Sequence, residues 1–229
     1  MKTAAQWLFI ICMPVMLLTA AIGIMANSLS FWLCDFGYDK YNVSQRLSSY
    51  GLPLEKPEIE RAYDSLVDYF NCGGEYIELT VVSGGQPVRL FTDEETSHFK
   101  DVKDLMWLDY GLYIGTFAYL LAYVLVNVFW LKDRRRLARG LLYGGGLSLV
   151  LIVAVVLLDV FWGFGDLWYR FHLVFFTNEF WYAEGYMLRL FPQEFFADAA
   201  VFCGLFTAVG AMVCGGVGWW LKSKSSQSP

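Results

Sequence analysis

The sequence predicts an all-α membrane protein with four transmembrane helices and a small α+β extracytoplasmic cap between the first and second helices. Composition, apolar runs and the distribution of basic residues support this fold class. Of the 229 residues, 57% are hydrophobic and 18% are aromatic, which is more than a soluble domain of this size carries. Four apolar runs of about 20 or more residues can each cross a hydrocarbon core of about 30 Å. The runs are residues 7–27, 107–131, 140–165 and 196–221.

The basic residues predict how these helices are oriented. The link between the second and third runs is rich in basic residues: Lys132, Arg134, Arg135, Arg136 and Arg139. Lys2 precedes the first run, and Lys222 and Lys224 follow the fourth. By the positive-inside rule, both termini are expected in the cytoplasm and the cap outside it. The net charge of −5 argues against nucleic acid as a partner.

The expected organisation has three parts along the chain. Transmembrane helix 1 occupies residues 1–28, the cap 29–105, and transmembrane helices 2 to 4 occupy 106–229, with an aromatic extracytoplasmic loop at 166–195. The first run could instead be a signal peptide cleaved at Ala26. Its apolar stretch is longer than the apolar region of a signal peptide, which usually has about 7–15 residues, and this favours a retained helix.

The cap carries its own secondary-structure signals. Residues 44–50 predict a short helix, and residues 57–70 place apolar side chains at helical spacing. Residues 75–82 and 88–91 alternate as strands on either side of a glycine-containing turn, which predicts a hairpin.

A further helix is predicted to begin after the hairpin. Thr92 and Glu95 form a capping-box sequence, which is typical of a helix N-terminus. This helix carries His98 and is expected to continue into the second transmembrane segment. Glu94, His98 and Asp101 lie at i, i+4 and i+7, so the imidazole falls between two carboxylates on one face.

The five cysteines divide by predicted compartment. Cys34 and Cys72 lie in the cap, where an oxidising environment permits a disulfide. The sequence does not decide whether these two cysteines are bridged. The other three lie in apolar runs and are expected to be packing residues: Cys12, Cys203 and Cys214.

The chain has only two histidines, His98 and His172, and the predicted topology places both beside the membrane on its outer side. Imidazole can both take and give a proton near neutral pH. Either histidine alone would be interpreted more simply as a partly exposed or packing residue. Two at one interface predict proton-transfer chemistry on a lipid-like substrate.

Other kinds of site have weaker support in the sequence. A zinc site could use both histidines with Glu94 and Asp101, but there is no HExxH motif and no cysteine cluster. We therefore expect no metal and no other cofactor. The Gly-x-Ser-x-Gly motif is absent, and Ser97 diverges from His98 on a helix. A non-catalytic protein that binds a lipidated partner through its cap is a further alternative.

Several charged residues are candidates for a supporting role. Asp159 lies within the third run, where an ionisable group is costly and is therefore a site candidate. It could orient His172 or Arg189, or be solvated near the interface. Arg170, Arg189 and Lys103 are the external bases nearest the histidines, and each could hold an oxyanion or extend to water.

Three motifs follow one another along the chain. They are Leu66-Val67-Asp68-Tyr69-Phe70-Asn71, then Phe91-Thr92-x-Glu94-Glu95-x-x-His98-Phe99-x-Asp101-Val102-Lys103-x-Leu105, then Phe171-His172-x-x-Phe175-Phe176 followed by Trp181 and Leu188-Arg189-Leu190-Phe191-Pro192-x-x-Phe195-Phe196. With the four spans and the cap, these motifs resemble a family of bacterial integral membrane proteins, the lipoprotein intramolecular transacylases (Lit).

The resemblance implies an acyltransferase of the bacterial plasma membrane. Such an enzyme moves the sn-2 acyl chain of a lipoprotein's diacylglyceryl-cysteine onto the cysteine α-amino group and leaves a lyso-form lipoprotein. It implies that His98 and His172 are catalytic, and its motifs add Tyr69, Asn71 and Trp181 to the supporting or substrate-binding residues. The implied partners are the lipid bilayer and diacylglyceryl-modified lipoproteins.

The residues themselves permit this reaction. An α-ammonium group must lose a proton before it attacks an ester, and an imidazole can take that proton. We hypothesise that His98 is the general base, oriented by Glu94 or Asp101. His172 would stabilise the oxyanion or donate the proton, helped by Arg189. No enzyme nucleophile is needed, because the amine and the ester belong to one molecule.

Overall fold

The computed structural model describes residues 2–225, and side chains from 3 to 224. Met1 and residues 226–229, the outer ends of two predicted segments, lie outside the described residues. The elements are α1 (Lys2–Ala26), α2 (Tyr38–Tyr41), α3 (Val43–Ser49), α4 (Lys56–Asn71), β1 (Thr80–Ser83), β2 (Gln86–Arg89), α5 (Asp93–Leu125), α6 (Arg134–Trp162), α7 (Phe164–Phe175), α8 (Met187–Leu190) and α9 (Gln193–Ser225). Two π-helical turns (Phe31–Phe36 and Val126–Trp130) and one 3₁₀ turn (Phe180–Tyr182) are also present.

Four helices within the described residues are long and apolar enough to cross a membrane, as the sequence predicted. They span Thr3–Ala26, Asp93–Trp130, Arg134–Trp162 and Gln193–Lys224. α5 alone has 33 residues. At the rise of an α-helix that is about 50 Å, well beyond a hydrocarbon core of about 30 Å. The first turns of α5 therefore extend past the membrane-spanning part, which agrees with a helix that continues from the cap.

The chain divides into two compact units. The helical unit comprises Met1–Gly23, Asp109–Gly163 and Val201–Pro229, and the cap unit comprises Ile24–Leu108 and Phe164–Ala200. The three-part division expected from the sequence follows membrane crossing rather than compactness, and it stays a prediction.

Apolar side chains and glycines pack the helical unit. Its buried core contains Phe9, Met13, Leu17, Leu120, Tyr123, Leu137 and Ala211. A Cβ atom on Gly145 would lie 2.7 Å from the carbonyl oxygen of Ala211, so α6 and α9 approach each other where only glycine fits. Small residues allow such close helix contacts in membrane proteins.

The cap unit contains the small α+β structure that the sequence predicted. α4 is amphipathic and buries Ile59, Ala62, Tyr63 and Leu66 completely. The hairpin differs from the predicted residues 75–82 and 88–91, since β1 begins only at Thr80 and β2 begins already at Gln86. Ser83 pairs with Gln86 and leaves a two-residue turn. Gly84 and Gly85 have φ of 58° and 79°, as such a turn requires.

The capping box at the start of α5 is formed. The Thr92 backbone N–H donates to Glu95 Oε2 at 2.9 Å, and the Glu95 N–H donates to Thr92 Oγ1 at 3.2 Å. These reciprocal bonds fix where α5 begins, and the start of α5 sets the positions of the side chains that follow.

The disulfide that the sequence left open is not formed. All five cysteines are free thiols; Cys34 is buried and Cys72 is exposed. Burial raises the pKa of the Cys34 thiol to about 12, so this group stays protonated at neutral pH.

Candidate active site

The two histidines come together in the cap unit. α5 carries His98 and α7 carries His172, and their ring centroids are 6.1 Å apart with an interplanar angle of 31°. The residues are only 6% and 5% exposed. Two imidazoles from distant parts of the chain thus share one buried place, where both can reach a single small reacting group.

A backbone contact determines the tautomer of His172. Its Nδ1 lies 2.7 Å from the Trp168 carbonyl oxygen, one turn earlier on α7. Because a carbonyl only accepts, Nδ1 carries the hydrogen and Nε2 of the neutral ring keeps a free lone pair. Burial lowers the pKa of His172, and the Trp168 contact opposes this shift. Near neutral pH the ring is therefore uncharged and able to accept a proton.

Aromatic rings enclose the histidine pair. Phe176 lies 4.8 Å from His98 between ring centroids. Trp168 and Trp181 lie 4.6 and 4.7 Å from His172. Such walls exclude water, and polar interactions with a reacting group are stronger in a dry site than in solvent. Aromatic residues of the 166–195 loop thus line the histidine pair.

His98 has an unsatisfied nitrogen. Its Nδ1 is buried and has no hydrogen-bond partner in the structure. Buried polar atoms are nearly always paired, so an unpaired one inside a site is available to a substrate group. The neighbouring carboxylates do not serve it. Glu94 is exposed on α5, and Asp101 accepts a 2.8 Å hydrogen bond from Asn178 Nδ2. The sequence suggested that Glu94 or Asp101 orients His98; neither carboxylate is hydrogen-bonded to its Nδ1, and the orienting role stays a prediction.

Glu95 is a residue of this region that sequence reasoning assigned only to the helix cap. It is fully buried, and its Oε1 accepts a 2.6 Å hydrogen bond from the Met187 backbone N–H. The capping-box pattern was the only signal in the sequence. The second partner lies far along the chain and has no sequence signature, because any residue other than proline supplies a backbone N–H.

Three predicted supporting residues have partners away from the histidines, and two of them brace one loop of the cap. Lys103 Nζ donates to the carbonyl oxygens of Gly73 and Gly74 at 2.6 and 2.9 Å, and lies 4.4 Å from the centroid of the Tyr69 ring. The Tyr69 hydroxyl donates to the Glu75 carbonyl at 2.9 Å. The ammonium group of Lys103 and the phenol of Tyr69 thus hold the loop that follows α4.

The third of these residues is Asn71, at the end of α4. Its Nδ2 donates to Asn27 Oδ1 and to the Val67 carbonyl, both at 2.8 Å. Arg189 contacts a further part of the cap, since its guanidinium lies 3.7 Å from the centroid of the Tyr50 ring.

Asp159 lies in the helical unit, and it is exposed on α6. Of the supporting residues, the structure brings Trp181 into contact with the histidine pair and links Asp101 to the segment that carries Trp181.

The part of the chain that the structure describes contains no set of ligands for the zinc site considered from the sequence. Across residues 2–225 no three His, Cys, Asp or Glu side chains are grouped so as to hold a metal ion. Of the four residues considered from the sequence, the two histidines lie together, but Asp101 accepts from Asn178 and Glu94 is exposed.

Comparisons with known proteins agree on one family. The family model described as lipoprotein intramolecular transacylase Lit matches residues 7–196. The fold is similar to that of the membrane integral lipoprotein intramolecular transacylase Lit from Bacillus cereus, with a TM-score of 0.78 and 22% identity over 100% of this chain and 99% of that chain. A variant of the Bacillus cereus protein with one histidine replaced by alanine gives a TM-score of 0.74 and 22% identity, over 100% of this chain and 96% of that chain.

A comparison with curated proteins found no match. At these identities the solved structures show that the fold is shared, and the family model spans most of the chain. The chain therefore belongs to the Lit family of lipoprotein intramolecular transacylases, a family of membrane-integral acyltransferases.

Proposed function

We propose that this protein moves the sn-2 acyl chain of a diacylglyceryl-cysteine onto the α-amino group of the same cysteine, using His98 and His172 for proton transfer. The observation that carries the proposal is the buried imidazole pair, with ring centroids 6.1 Å apart inside an aromatic enclosure. The substrates are diacylglyceryl-modified lipoproteins, which reach the site from the bilayer.

The reaction needs no nucleophile from the protein. The attacking amine and the scissile ester lie on one molecule, so the protein has to fold the substrate and move protons. Holding two reacting groups in a productive geometry can lower the barrier by several kcal/mol, with intramolecular effective molarities of about 10⁵–10⁸ M. A tight aromatic pocket suits that task, because it restricts the flexible glyceryl linkage.

The proton balance assigns work to both imidazoles. The α-ammonium group holds three protons; one stays on the new amide, one passes to the glyceryl oxygen that leaves, and one goes to solvent. The C–N bond forms as the ester C–O bond breaks. One base must therefore remove a proton before attack, and one group must carry a proton from nitrogen to oxygen afterwards.

We assign the first task to His98 and the second to His172. The unpaired Nδ1 of His98 is available to the ammonium group. His172 presents the lone pair of Nε2, because its Nδ1–H donates to the Trp168 carbonyl. Nε2 takes a proton from the tetrahedral intermediate and gives it to the glyceryl oxygen. The Trp168 carbonyl stabilises the transient imidazolium.

Mass spectrometry of a lipoprotein's N-terminal peptide tests the reaction. Membranes with this protein should yield N-acylated monoacylglyceryl cysteine, and membranes without it should not. His98→Ala and His172→Ala should each lower the rate by about 10²–10⁴-fold, the usual contribution of a general acid or base. Asp104→Asn is the matched control, since Asp104 is an exposed residue on the same helix. Full turnover by both histidine variants would refute the assignment.

The dependence on pH separates the two roles. An α-amino group with a pKa of about 8 is largely uncharged at pH 9, so a base is no longer needed to remove its first proton. The His98→Ala variant should regain part of its rate at pH 9, whereas His172→Ala should not. Equal recovery of both variants would show that the roles are assigned wrongly.

We further propose that both termini are cytoplasmic and that the cap and the site are extracytoplasmic. Cys72 offers a direct test, because among the five cysteines it is the exposed one and it lies in the cap unit. A maleimide that cannot cross membranes should label the protein in intact spheroplasts, and Cys72→Ser should abolish the labelling. Labelling only after the membrane is opened would place the cap inside.

A further inference from the structure

We propose that Glu95 and Asp101 are positioning residues: their carboxylates tie α5 to the segment 178–187 at two points and so hold the Trp181 ring against His172. The inference rests on the proposed function and deepens it, because it names what keeps the proton-carrying imidazole enclosed. Neither carboxylate touches the substrate in this proposal. Each acts through the segment that it holds.

The first tie is made by Glu95. Its Oε1 accepts from the Met187 N–H at 2.6 Å and its Oε2 from the Thr92 N–H at 2.9 Å, so both oxygens are occupied. A fully buried carboxylate is costly unless such hydrogen bonds satisfy it. Gly185 packs directly on this carboxylate, and a Cβ atom there would overlap it. The approach of the segment to α5 thus depends on glycine at 185.

The second tie is made by Asp101. Its Oδ2 accepts from Asn178 Nδ2 at 2.8 Å, and Asn178 Oδ1 in turn accepts from the Phe180 backbone N–H at 3.0 Å. The side chain of Asn178 therefore connects α5 with Phe180, the first residue of the 3₁₀ turn that contains Trp181. The amide can serve both partners because it presents a donor and an acceptor.

The two ties flank the site on both elements. Glu95, His98 and Asp101 follow one another at intervals of three residues, so they share one side of α5. On the segment, Asn178 precedes Trp181 and Gly185 follows it. The tied points thus lie on either side of the histidine along α5, and on either side of the tryptophan along the segment.

The backbone hydrogen bonds of the segment are local. Regular structure between Asn178 and Met187 is limited to the 3₁₀ turn Phe180–Tyr182, and bonds such as that from the Tyr182 N–H to the Glu179 carbonyl at 3.0 Å do not reach α5. The Trp181 ring nevertheless lies 4.7 Å from the His172 ring, between centroids. Directional hydrogen bonds at both ends define that position better than apolar contact alone, since apolar contact has no preferred direction.

An exchange of the two side chains at the second tie tests the proposal. Asn178→Asp sets a carboxylate against Asp101, whereas the double variant Asp101→Asn/Asn178→Asp restores an amide donor facing a carboxylate. Either residue at 178 can still accept from the Phe180 N–H. The single variant should lower kcat about tenfold or more with KM changed less than about twofold, and the double variant should return to within about threefold of the original kcat.

Gly185→Ala tests the first tie with Glu95 intact. The added methyl group must displace the segment or the carboxylate, so kcat should again fall with little change in KM. Asp104→Asn should leave both constants unchanged, because Asp104 is exposed and its carboxylate lies 3.7 Å from Lys100 Nζ. A double variant that folds but is as impaired as Asn178→Asp would overturn the proposal, and so would an unchanged kcat in the single variants. If Asn178→Asp fails to fold, the double variant and Gly185→Ala decide between these outcomes.

Amide hydrogen exchange separates this inference from the proposed function. Residues 178–187 should exchange faster in Asn178→Asp, and the double variant should restore protection. If the unaltered protein makes no lyso-form product, the proposed function fails while the exchange rates still test the ties. In that case, equal exchange rates for residues 178–187 in all variants would overturn the proposed ties.

Discussion

Different kinds of contact stabilise the interior of the helical unit and the interior of the cap unit. In the helical unit, α6 and α9 meet at Gly145, and apolar side chains around Phe9 form the core. In the cap unit, buried polar groups find partners far along the chain. Tyr63 donates to the Leu190 carbonyl at 2.7 Å, and Glu95 accepts from Met187.

The two kinds of contact contribute differently: apolar contacts mainly add stability, whereas buried hydrogen bonds also fix the positions of side chains. Apolar packing contributes stability but has no strong preferred direction. A hydrogen bond between two buried groups requires both distance and angle to be right. In the unit that contains the histidine pair, long-range hydrogen bonds of this kind lie beside the pair, whereas in the helical unit Tyr119 makes one to the Ala5 carbonyl at 2.7 Å.

The strongest test of this contrast removes an aromatic wall of the site. Trp181→Ala should lower the rate of acyl transfer by up to about 10²-fold, as misplacement of a reacting group can do, while the unfolding temperature changes little. It should also bring water to His172 and raise the pKa of that imidazole towards its ordinary value, so the acid limb of the pH–rate profile moves to higher pH. An unchanged acid limb would contradict the enclosure of His172 by Trp181.

An intermediate effect is expected in the helical unit. Gly145→Ala brings a methyl group against the Ala211 carbonyl, so unfolding in detergent should become easier by about 1–3 kcal/mol. The rate per folded molecule and the pH–rate profile should stay as they are. Gly146→Ala is the matched control, because a Cβ atom there meets open space. Equal destabilisation by both variants would show that close contact at Gly145 is not the cause.

The smallest effect concerns the pH dependence of stability. Burial lowers the pKa of His172 in the folded protein, so the unfolded chain binds the proton more readily. Stability from this group is complete above the unfolded pKa of about 6.5 and is lost as the pH falls below it. The unfolding temperature should decline between pH 7 and pH 5, and His172→Asn should decline less. An equal decline in both proteins would assign the effect to other groups.

Much of the fold could be predicted from the sequence, because the patterns that indicate it involve neighbouring residues. The length of an apolar run and the capping box at Thr92 and Glu95 each depend on neighbouring residues, and the structure contains the elements they predicted. Helix ends and strand ends differ by several residues, since hydrogen-bond pairing rather than hydropathy decides where an element stops. The hairpin shows this, because pairing of Ser83 with Gln86 determines its turn.

The candidate site could be predicted from the sequence only in part. Rarity and predicted topology singled out His98 and His172, and the resemblance to a family added Trp181, which contacts His172. The role of Glu94 was expected from helical spacing, which shows that two residues share a face but not whether that face is buried. Glu94 is exposed, whereas its neighbour Glu95 is buried.

By itself, the sequence determined that this is a membrane protein with four spanning helices and a cap that carries His98. Those properties follow from hydrophobicity and helical periodicity, which are sums over adjacent residues. Only the tertiary structure decided that the two imidazoles share one buried place, that Asp101 pairs with Asn178, and that Cys34 and Cys72 stay apart. Such contacts join residues far apart in the chain, and their geometry depends on how the whole cap unit packs.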